Sequence, residues 1–480
     1  MSANSTQQVA INPLIFREYD IRGLVDDDLS PSVMAALGAG FGRFLVGLDR
    51  PPGSVGPLTA VVGHDARLTS PGYARALSEG LAAQGIAATW IGEVPTPVLY
   101  FAVNTLHTDG GAAVTASHNP PQFNGLKVRK RGQVADGPGI PLASSELQDL
   151  RRLAAEEGQG TPAPQSEKLD ILDDYISYVT ARVRQERPLK VVIDAGNGVA
   201  GPTCVRLLEA LGNEVVPLYC DPDGSSPNHI PDPLKAENLA DLQQKVAETR
   251  ADVGVALDGD GDRLGVVDNQ ERILWPDQYL MILARGVLAG GPQRIIFDVK
   301  CSLALIEEIE RLGGTPVMWR TGYPNIMAKR REEGAALAGE YSGHLFFNDP
   351  VIDFDDGSFA ASQLLATLAA QPEPLSTLVD QLPRYHSTAE ERFFCADDAK
   401  FGVIERLQAQ YEGRYPLVAI DGMRVTFDGG WGLVRTSNTE PALTTRFEAQ
   451  TPERVEEIRA QMLKDLDQFP EVDLSRGGGH

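Results

Sequence analysis

The sequence has few of the features that mark extracellular, membrane-spanning or zinc-binding proteins. Only four cysteines occur among 480 residues, without paired spacing, which is typical of reduced thiols and indicates neither a disulfide framework nor a zinc site. No apolar run approaches the ~18–20 residues that a membrane-crossing helix requires. The amino terminus has neither a basic nor an apolar segment, so a secretory signal is not indicated. We therefore expect a cytoplasmic protein with no membrane partner.

Basic side chains are also scarce. The chain has 43 lysines and arginines against 66 aspartates and glutamates, which gives a formal net charge of −23 and a pI near 4.7. Nucleic acids and anionic membranes are bound through basic surfaces, so neither is expected as a partner. A small phosphorylated ligand is compatible with this charge, because salt screens charges that lie more than ~8–10 Å away.

The length of the chain predicts several domains. A single hydrophobic core does not grow to 480 residues, and three or four domains are expected. The Glu/Gly/Pro-rich stretch 156–164 is typical of a linker, and weaker boundaries follow residue 267 and the stretch 370–384. The predicted domains are 1–164, 165–267, 268–384 and 385–480.

One structural unit recurs at intervals of roughly a hundred residues, the size of a domain. Each copy is a predicted strand, a polar loop, a helix that ends at a glycine, and a second apolar strand. The copies are 59–62 with Gly85 and 86–91, 190–193 with Gly212 and 215–218, and 294–297 with Gly313 and 316–319. Such units predict parallel sheets with functional loops after the strands.

The last part of the chain follows a different pattern. From Thr388 on, the strands are short and their order is typical of antiparallel pairing. The glycine-rich end, 477–480, is expected to be a disordered tail. The fold class is therefore predicted as three similar α/β domains with mixed, largely parallel sheets, followed by a smaller α+β domain.

A polar turn around Ser117 is the first candidate catalytic segment. It follows a predicted strand at 111–114 and reads Thr-Ala-Ser-His-Asn-Pro-Pro from residue 115. The prolines lack an N–H donor and end the strand, so the Ser117 hydroxyl is expected to project from a rigid loop beside His118. A serine in such a setting can serve as a covalent group in catalysis, although a simple strand-ending turn has the same local composition.

A second loop, Asp-Gly-Asp-Gly-Asp-Arg at 258–263, lies between the apolar runs 253–257 and 264–267. Glycine permits dihedral angles that turn all three carboxylates inward, and converging carboxylates require a cation. Oxygen ligands favour Mg²⁺, with Mn²⁺ or Ca²⁺ as alternatives. The EF-hand pattern fails at Arg263 and Asn269. A phosphatase loop with Asp258 as nucleophile and a plain hairpin turn remain open.

Some basic residues lie where a phosphate could be bound. Arg22, Lys127, Arg263, Lys300 and Arg435 each adjoin a glycine, a strand end or a polar loop. Near the carboxyl terminus Arg435, Ser437, Asn438 and Thr439 form a loop rich in hydrogen-bond donors, a composition that captures phosphate but that also occurs in ordinary turns.

Five segments together resemble the α-D-phosphohexomutase superfamily, specifically the bacterial phosphomannomutase/phosphoglucomutase group. The resemblance covers nearly the whole chain, and the segments stand in the family's order. They are Phe-Arg-Glu-Tyr-Asp-Ile-Arg-Gly at 16–23, Thr-Ala-Ser-His-Asn-Pro at 115–120 with Asn-Gly-Leu-Lys at 124–127, the acidic loop at 258–263, Gly-Glu-Tyr-Ser-Gly-His at 339–344, and Arg-Thr-Ser-Asn-Thr-Glu-Pro at 435–441.

The resemblance implies four domains around a central cleft and a phosphorylated Ser117. The phosphoryl group passes to a hexose monophosphate, giving a bound 1,6-bisphosphate that turns around and returns the other phosphate. One Mg²⁺ per chain is implied at Ser117, Asp258, Asp260 and Asp262. Arg263 adds positive charge, and Arg22, Lys127 and His118 are the candidates for moving the sugar proton.

The resemblance also divides the ligand contacts between two loops. Glu340, Ser342, His344 and Tyr323 are implied for the sugar, and the non-reacting phosphate is implied at Tyr19, Lys300, Arg435, Ser437, Asn438 and Thr439. Relatives often carry histidine in place of Tyr323, so a titrating imidazole is lost there. Tyr341 replaces a frequent methionine of glucose/mannose enzymes and a frequent glutamine of glucosamine enzymes, which favours glucose and mannose.

Three alternatives remain at this point. They are a phosphoglucosamine mutase, a Mg²⁺-dependent sugar phosphatase that uses Asp258, and a noncatalytic metal-binding protein. For the main interpretation we expect glucose 1,6-bisphosphate or mannose 1,6-bisphosphate as activator, a small hexose phosphate as substrate, and a monomer or weak dimer.

Overall fold

The computed structural model describes residues 9–49, 56–132, 138–156, 158, 160–163, 168–437 and 440–479, with the backbone alone for 476–479. The chain divides into two compact units. The first unit comprises Met1–Ile273 with Phe347–Leu375, and the second comprises Leu274–Phe346 with Ser376–His480.

The first domain has a six-stranded sheet of order β1-β5-β4-β2-β3, with β6 paired to β5. Strand β2 runs parallel to β3 and β4, whereas β5 runs antiparallel to β4 and β1. After a 3₁₀ helix at Pro13–Ile15, the elements are β1 Ile21–Leu24, α1 Pro31–Val46, β2 Thr59–His64, α2 Ser70–Ala83, β3 Ala87–Glu93, α3 Thr96–Thr105, β4 Gly110–Val114, β5 Phe123–Lys130, β6 Ile140–Pro141 and α4 Ser144–Ala154. Its core contains Met34, Leu37 and Phe41 of α1, which pack with buried residues of the sheet and of α4.

The second domain has a five-stranded sheet of order β11-β10-β9-β7-β8, in which β7 is parallel to β8 and β9, and β10 is antiparallel to β9. The elements are α5 Leu172–Thr180, β7 Lys190–Asp194, α6 Gly201–Ala210, β8 Glu214–Leu218, a 3₁₀ helix Ala236–Leu239, α7 Ala240–Thr249, β9 Val253–Leu257, β10 Leu264–Asp268 and β11 Ile273–Leu274.

The third sheet has the order β13-β12-β14-β15, with β12 parallel to both β13 and β14. The elements of this part of the chain are α8 Pro276–Leu288, β12 Arg294–Asp298, α9 Leu303–Arg311, β13 Thr315–Trp319, α10 Tyr323–Glu333, β14 Leu337–Gly339, β15 Leu345–Phe347, α11 Gly357–Ala369 and α12 Leu375–Asp380. Helix α11 belongs to the first unit.

The fourth domain has a seven-stranded sheet of order β18-β19-β20-β21-β17-β22, with β16 paired to β21. Its described pairs are antiparallel, as predicted. The elements are β16 His386–Ser387, β17 Glu391–Cys395, α13 Lys400–Tyr411, β18 Leu417–Val418, β19 Met423–Phe427, β20 Gly430–Thr436, β21 Ala442–Ala449, α14 Pro452–Leu466 and β22 Val472–Gly479.

The three predicted repeats are confirmed as β2–α2–β3, β7–α6–β8 and β12–α9–β13. Gly85, Gly212 and Gly313 follow the helices with φ of 82°, 89° and 78°, the left-handed conformation that terminates helices. In each sheet the first strand of the repeat lies between the second strand and a third, and a fourth strand lies beyond the third. The link from third to fourth strand holds Ser117 in the first domain, Asp258 in the second and Glu340 in the third.

The prediction of a disordered tail is wrong for Gly477–Gly479. These residues continue β22, in which Gly478 pairs with Arg392 and Gly479 with Glu391. Strand pairing uses main-chain N–H and C=O groups, which glycine retains, and β22 has already been aligned by Val472 opposite Cys395. His480 lies outside the described residues.

A half-buried histidine paired with a buried aspartate in the second domain is expected to make stability depend on pH. His229 Nδ1 lies 3.0 Å from the Ile230 carbonyl oxygen, and Nε2 lies 3.1 Å from Asp194 Oδ2. Both partners only accept hydrogen bonds, an arrangement that favours the doubly protonated imidazole. Burial alone would lower the pKa of His229, but the Asp194 carboxylate, with a smaller effect of Asp241, raises it above its ordinary value.

We predict that His229→Gln lowers the melting temperature by about 2 °C at pH 6 and has a smaller effect at pH 9. A raised folded-state pKa stabilises the fold fully below the unfolded pKa of about 6.5, and this stabilisation is lost as pH rises through the folded value. Melting curves of wild type and variant between pH 6 and 9 measure this. Exposed His386→Gln is the control, and a pH-independent difference would contradict the prediction.

Candidate active site

Ser117 lies in the link between β4 and β5, and its hydroxyl meets the acidic loop of the second domain. The residue is 1% exposed and has φ of 51°, a strained conformation for a residue with a side chain. Its backbone N–H donates to Thr115 Oγ1 at 2.9 Å. Its Oγ donates to Asp258 Oδ2 at 2.6 Å and lies 3.1 Å from His118 Nδ1. Two segments separated by 141 residues in sequence therefore meet at one hydroxyl.

The acidic loop converges as its glycines predict. The carboxylates of Asp258, Asp260 and Asp262 are buried, and each offers an oxygen within 4.8 Å of the others. Gly261 has φ of 79°. A side chain at Gly259 would place its Cβ 2.4 Å from the Ser117 carbonyl oxygen, so only glycine permits this approach of the two loops.

Two cations lie beside the three carboxylates. Lys127 Nζ donates to Asp260 Oδ2 at 2.7 Å and also to Asp262 Oδ2, while Arg263 Nε lies 4.0 Å from Asp258 Oδ2. Burial raises the pKa of Asp258 well above its ordinary value, and repulsion from Asp262 and Asp260 adds to this. Three carboxylates against two cations leave the cluster short of positive charge.

These residues fit a hard divalent cation. The three buried carboxylates supply oxygen ligands only, and among the described residues Asp260 Oδ1 is a buried atom with no hydrogen-bond partner. Such a set is suited to Mg²⁺. A divalent ion would also relieve the repulsion that acts on Asp258. The assignment of these aspartates as metal ligands stays a prediction.

Lys127 and Arg22 both hold their protons tightly in this arrangement. Burial alone would lower the pKa of Lys127, but Asp260 and Asp262 outweigh it and hold that pKa well above its ordinary value. Arg22 Nε donates to Asp20 Oδ2 at 2.8 Å, and its Nη1 donates to Asn119 Oδ1 in the Ser117 loop. Both side chains are thus placed as cations beside the reacting region.

Arg67 holds the Ser117 loop from behind, a role that the sequence reasoning did not assign. Its Nη1 donates to the carbonyl oxygens of Pro120 and Phe123, both at 2.9 Å. Its Nη2 donates to those of Ser117 at 2.8 Å and Asn119 at 2.5 Å. The remaining Nε–H donates to Asp65 Oδ2 at 3.1 Å, so each N–H of the buried guanidinium has an acceptor.

In the second unit, Glu340 anchors the predicted sugar loop. The loop is a tight turn in which Glu340 N donates to the His344 carbonyl oxygen and Gly343 N to that of Glu340, both at 3.0 Å. Glu340 is 2% exposed, and its Oε1 accepts a hydrogen bond from Gly322 N at 2.6 Å. Burial raises the pKa of Glu340.

The other predicted sugar residues lie around this turn. Ser342 is half-buried within it. The ring of Tyr323, at the start of α10, lies 5.7 Å from the ring of His344 between centroids. The structure therefore brings Glu340, Ser342, His344 and Tyr323 together in one unit, while their roles stay predictions.

The predicted phosphate residues are divided between the two units. Lys300 follows β12, and Arg435 and Ser437 lie at the end of β20, all in the second unit. Tyr19 lies in the first unit, just before β1, and is half-buried. Asn438 and Thr439 lie outside the described residues.

Tyr341 packs against an arginine of the fourth domain. The Arg446 guanidinium carbon lies 3.6 Å from the centroid of the Tyr341 ring. Arg446 Nη1 also donates to the Lys300 carbonyl oxygen at 2.7 Å. Tyr341 is thereby linked to the loop of Lys300.

Four family models match successive parts of the chain. Their descriptions are phosphoglucomutase/phosphomannomutase alpha/beta/alpha domain I over residues 13–158, domain II over 173–271, domain III over 275–385 and C-terminal domain over 390–465. Among the described residues, no helix has the length and apolar character that a membrane crossing needs.

Relatives match over nearly the whole chain. A phosphomannomutase/phosphoglucomutase of Pseudomonas aeruginosa is 42% identical over 454 residues, which cover 94% of this chain and 95% of the relative. A phosphoglucomutase of Neisseria meningitidis is 37% identical over 464 residues, covering 95% and 98%. A crystal structure of a phosphoglucomutase/phosphomannomutase family protein from Burkholderia thailandensis superposes with a TM-score of 0.87 at 39% identity, covering 97% of this chain and all of the other.

Proposed function

Because the chain belongs to the phosphoglucomutase/phosphomannomutase family, we propose that it interconverts the 1-phosphates and 6-phosphates of glucose and mannose. The observation that carries this proposal is the 2.6 Å hydrogen bond from Ser117 Oγ to Asp258 Oδ2. It puts a serine hydroxyl from a rigid loop directly against a carboxylate cluster suited to a divalent cation, a pairing that is suited to phosphoryl transfer.

The reaction proceeds in two half-reactions through phosphorylated Ser117. In the first, the bond between phosphorus and Ser117 Oγ breaks and a bond to a sugar hydroxyl oxygen forms. The proton of that hydroxyl passes in net to Ser117 Oγ, which becomes a free hydroxyl. In the second, the bond between phosphorus and the sugar oxygen at the other end of the bisphosphate breaks, and the phosphoryl group moves to Ser117 Oγ. The serine proton passes in net to that sugar oxygen, which becomes a hydroxyl. Lys127, Arg22 and Arg263 lie beside this serine as cations, and positive charge stabilises the transferred group.

Mg²⁺ is the ion that we propose at Asp258, Asp260 and Asp262, with Ser117 contributing once phosphorylated. When bound, it supplies further neutralisation of phosphoryl charge. The chain's own residues keep the site prepared: Thr96 Oγ1 donates to Asp260 Oδ2 at 2.7 Å, and Asp262 N donates to Asp258 Oδ1 at 3.0 Å. Both hydrogen bonds orient carboxylates before any ion arrives.

Phosphorus NMR of glucose 1-phosphate and mannose 1-phosphate with the wild-type protein tests the function. The reaction contains Mg²⁺ and a trace of glucose 1,6-bisphosphate, and a parallel sample is treated with a chelator. We expect both 6-phosphates to form without inorganic phosphate, and we expect chelation to stop the reaction until Mg²⁺ is returned. Inorganic phosphate as the main product would contradict a mutase.

The phosphatase alternative is disfavoured by the surroundings of Asp258. Its Oδ2 accepts from Ser117, and its Oδ1 accepts from the backbone N–H of Asp262 and of Arg263, at 3.0 and 3.1 Å. A carboxylate engaged at both oxygens is poorly placed to attack phosphorus, whereas it is well placed to orient Ser117.

Sugar preference gives a prediction for Tyr341. Because this ring supports Arg446 beneath Lys300, Tyr341→Met should weaken phosphate binding and leave the sugar choice unchanged. We expect KM for glucose 1-phosphate and mannose 1-phosphate to rise by the same factor, about 2- to 10-fold, the range of a cation–π contact. Steady-state kinetics on both substrates measures this.

The control for Tyr341 is a similar tyrosine–arginine stack on α5. Arg182 lies 3.5 Å from the centroid of the Tyr178 ring, so Tyr178→Met removes the same kind of contact in the other unit. It should leave both KM values unchanged. A shift in the glucose-to-mannose ratio for Tyr341→Met would mean that residue 341 contacts the sugar. Turnover of glucosamine 1-phosphate above both sugars would favour the phosphoglucosamine alternative.

Three further features belong to this proposal. A hexose 1,6-bisphosphate, of glucose or mannose, activates the protein by phosphorylating Ser117. The protein acts as a monomer or weak dimer, and it works in the cytoplasm. The scattered cysteines and the acidic composition support the cytoplasmic location.

A further inference from the structure

Asp421, in the turn between β18 and β19, joins two parts of the second unit. Its Oδ2 accepts a hydrogen bond from Arg435 Nε at 3.1 Å and another from Thr321 N at 3.0 Å. The side chain of Asp421 is 15% exposed and that of Arg435 is 7% exposed, so solvent weakens this ion pair little. One carboxylate oxygen thus holds both the predicted phosphate-binding guanidinium and the backbone of a loop in the third domain.

That loop leads directly to the predicted sugar carboxylate. The N–H of Gly322, the next residue, donates to Glu340 Oε1 at 2.6 Å. Consecutive backbone N–H groups of Thr321 and Gly322 are therefore tied to Asp421 and Glu340, respectively. Arg435, Asp421, the 321–322 peptide and Glu340 form a continuous chain of three hydrogen bonds.

The opposite charges of Arg435 and Asp421 stabilise the first of these three hydrogen bonds. Burial alone would lower the pKa of Arg435, but Asp421 outweighs it and raises that pKa, which keeps the guanidinium charged. Glu340 is buried and receives an N–H donor at its Oε1. Movement of Arg435 toward a phosphate would pull Asp421, which accepts from Thr321 N. Because Gly322 is the next residue, its N–H, which donates to Glu340, would shift as well.

The first domain contains a parallel arrangement. Thr96 is the third residue after β3, and Thr321 is the second residue after β13; both strands are the second strand of their repeats. Thr96 N and Oγ1 donate to the carbonyl and the carboxylate of Asp260 in the next domain. In both units, therefore, the loop after the second strand of one domain holds an aspartate of the following domain.

We propose that Asp421 is a positioning residue that couples phosphate binding at Arg435 to sugar binding at Glu340. The inference rests on the proposed function for the identity of the ligand, a hexose phosphate. It assigns Asp421 no contact with the ligand. Coupling of this kind is reciprocal: loss of Asp421 should weaken the contribution of Glu340, and loss of Glu340 should weaken the contribution of Asp421.

A double-mutant cycle on ligand binding tests the coupling. Calorimetry measures the dissociation constant of glucose 6-phosphate for wild type, Asp421→Ala, Glu340→Gln and the double variant. We expect Asp421→Ala alone to weaken binding about tenfold, and the double variant to bind at least about fivefold more tightly than the product of the single effects predicts. Asp421→Asn, which keeps an acceptor oxygen but loses the charge, should fall between wild type and Asp421→Ala.

Several outcomes would overturn the inference. Effects that multiply in the double variant would mean that the two residues act independently. An Asp421→Ala protein that melts at a lower temperature but binds as wild type would have lost only a structural contact. The control, exposed Asp428→Asn in the same domain, should change nothing. If Asp421→Ala does not fold, Asp421→Asn replaces it in the cycle, and additivity there has the same meaning.

The binding readout separates this inference from the proposed function. A wild type that binds glucose 6-phosphate but does not isomerise it contradicts the mutase proposal, while the cycle still decides the coupling. If the wild type isomerises both sugar phosphates but the effects in the double-mutant cycle are additive, the proposed function stands and the coupling role of Asp421 is wrong. A wild type that does not bind glucose 6-phosphate overturns the coupling as well.

Discussion

Ser117→Ala is expected to reduce kcat for glucose 1-phosphate by at least about 10³-fold, because it removes the hydroxyl that we propose to carry the phosphoryl group between half-reactions. The variant should retain its fold, since alanine fits within the space that serine occupies. Its φ of 51° is no more strained for alanine than for serine. Coupled assays with Mg²⁺ and glucose 1,6-bisphosphate measure the rate, and intact-mass spectrometry measures the phosphoryl group on the wild type and its absence from the variant.

The matched control is Ser78→Ala. The Ser78 hydroxyl donates to the Ala74 carbonyl oxygen at 2.9 Å within α2, so this variant also loses one hydrogen-bonded hydroxyl, which is half-buried and lies away from the acidic loop. It should keep full activity and its phosphoserine. If Ser117→Ala retained activity, another residue would have to be the nucleophile, and Asp258 would be the first candidate.

The sequence predicts the candidate catalytic loops of this protein better than it predicts the residues that support these loops. Ser117 and the aspartates at 258, 260 and 262 stand in short segments whose composition already limits their conformation: prolines end one strand, and glycines turn the other. The repeats were recognisable for the same local reason, since each helix ends at a glycine with positive φ. Local chemistry and short-range periodicity sufficed for these elements.

The residues that support the loops escaped prediction because their partners are main-chain atoms far away in sequence. Arg67 binds carbonyl oxygens 50 to 56 positions along the chain, and any residue type there would supply the same oxygen. Asp421 binds a backbone N–H 100 positions away. Contacts of this kind with main-chain atoms cannot be predicted from a pattern of side chains in the sequence.

One signal could have identified Arg67. It follows the first strand of the first repeat, where Lys300 follows the first strand of the third repeat. Equivalent loops lie at the same edge of equivalent sheets, so a charged side chain in one such loop suggests a role for the charged side chain in the other. Comparing the repeats with each other, and not only with known families, would have added Arg67 to the candidates. The error at 477–479 has a different origin, because composition alone cannot show that a neighbouring strand has an edge available for pairing.

Replacing Arg67 is expected to reduce kcat about 10²-fold or more while KM changes by less than about threefold, because the N–H groups of its guanidinium are all used to hold protein oxygens around the Ser117 loop. Four carbonyl oxygens of that loop accept hydrogen bonds from its guanidinium. Their alignment on one planar fork determines where Ser117 Oγ lies relative to Asp258. A displacement of about 1 Å of a reacting atom can cost about two orders of magnitude in rate.

Arg67→Lys is the decisive variant. Lysine keeps the charge and much of the length, but its three N–H donors cannot serve the five acceptors that surround the guanidinium. At least two buried acceptors would lose their donor, at a cost of about 1–3 kcal/mol each. A second variant, Arg67→Met, removes the charge as well as the donors. We expect kcat to fall nearly as much in Arg67→Lys as in Arg67→Met, and we expect Ser117 to leave its strained conformation in both. Steady-state kinetics, together with the rate at which glucose 1,6-bisphosphate phosphorylates the dephosphorylated protein, measure both effects.

Arg43→Lys is a matched control in the same domain. Arg43 also donates to two backbone carbonyl oxygens, those of Leu153 at 2.8 Å and Gly158 at 2.6 Å, but it holds the end of α1 to the last turn of α4 and to the segment after it. Its replacement should lower the melting temperature and leave kcat unchanged. If Arg67→Lys retains wild-type kcat, the positive charge alone is needed and the geometric role is wrong. If the decrease in kcat follows the decrease in melting temperature in both Arg67→Lys and Arg43→Lys, Arg67 stabilises the domain and does not place Ser117.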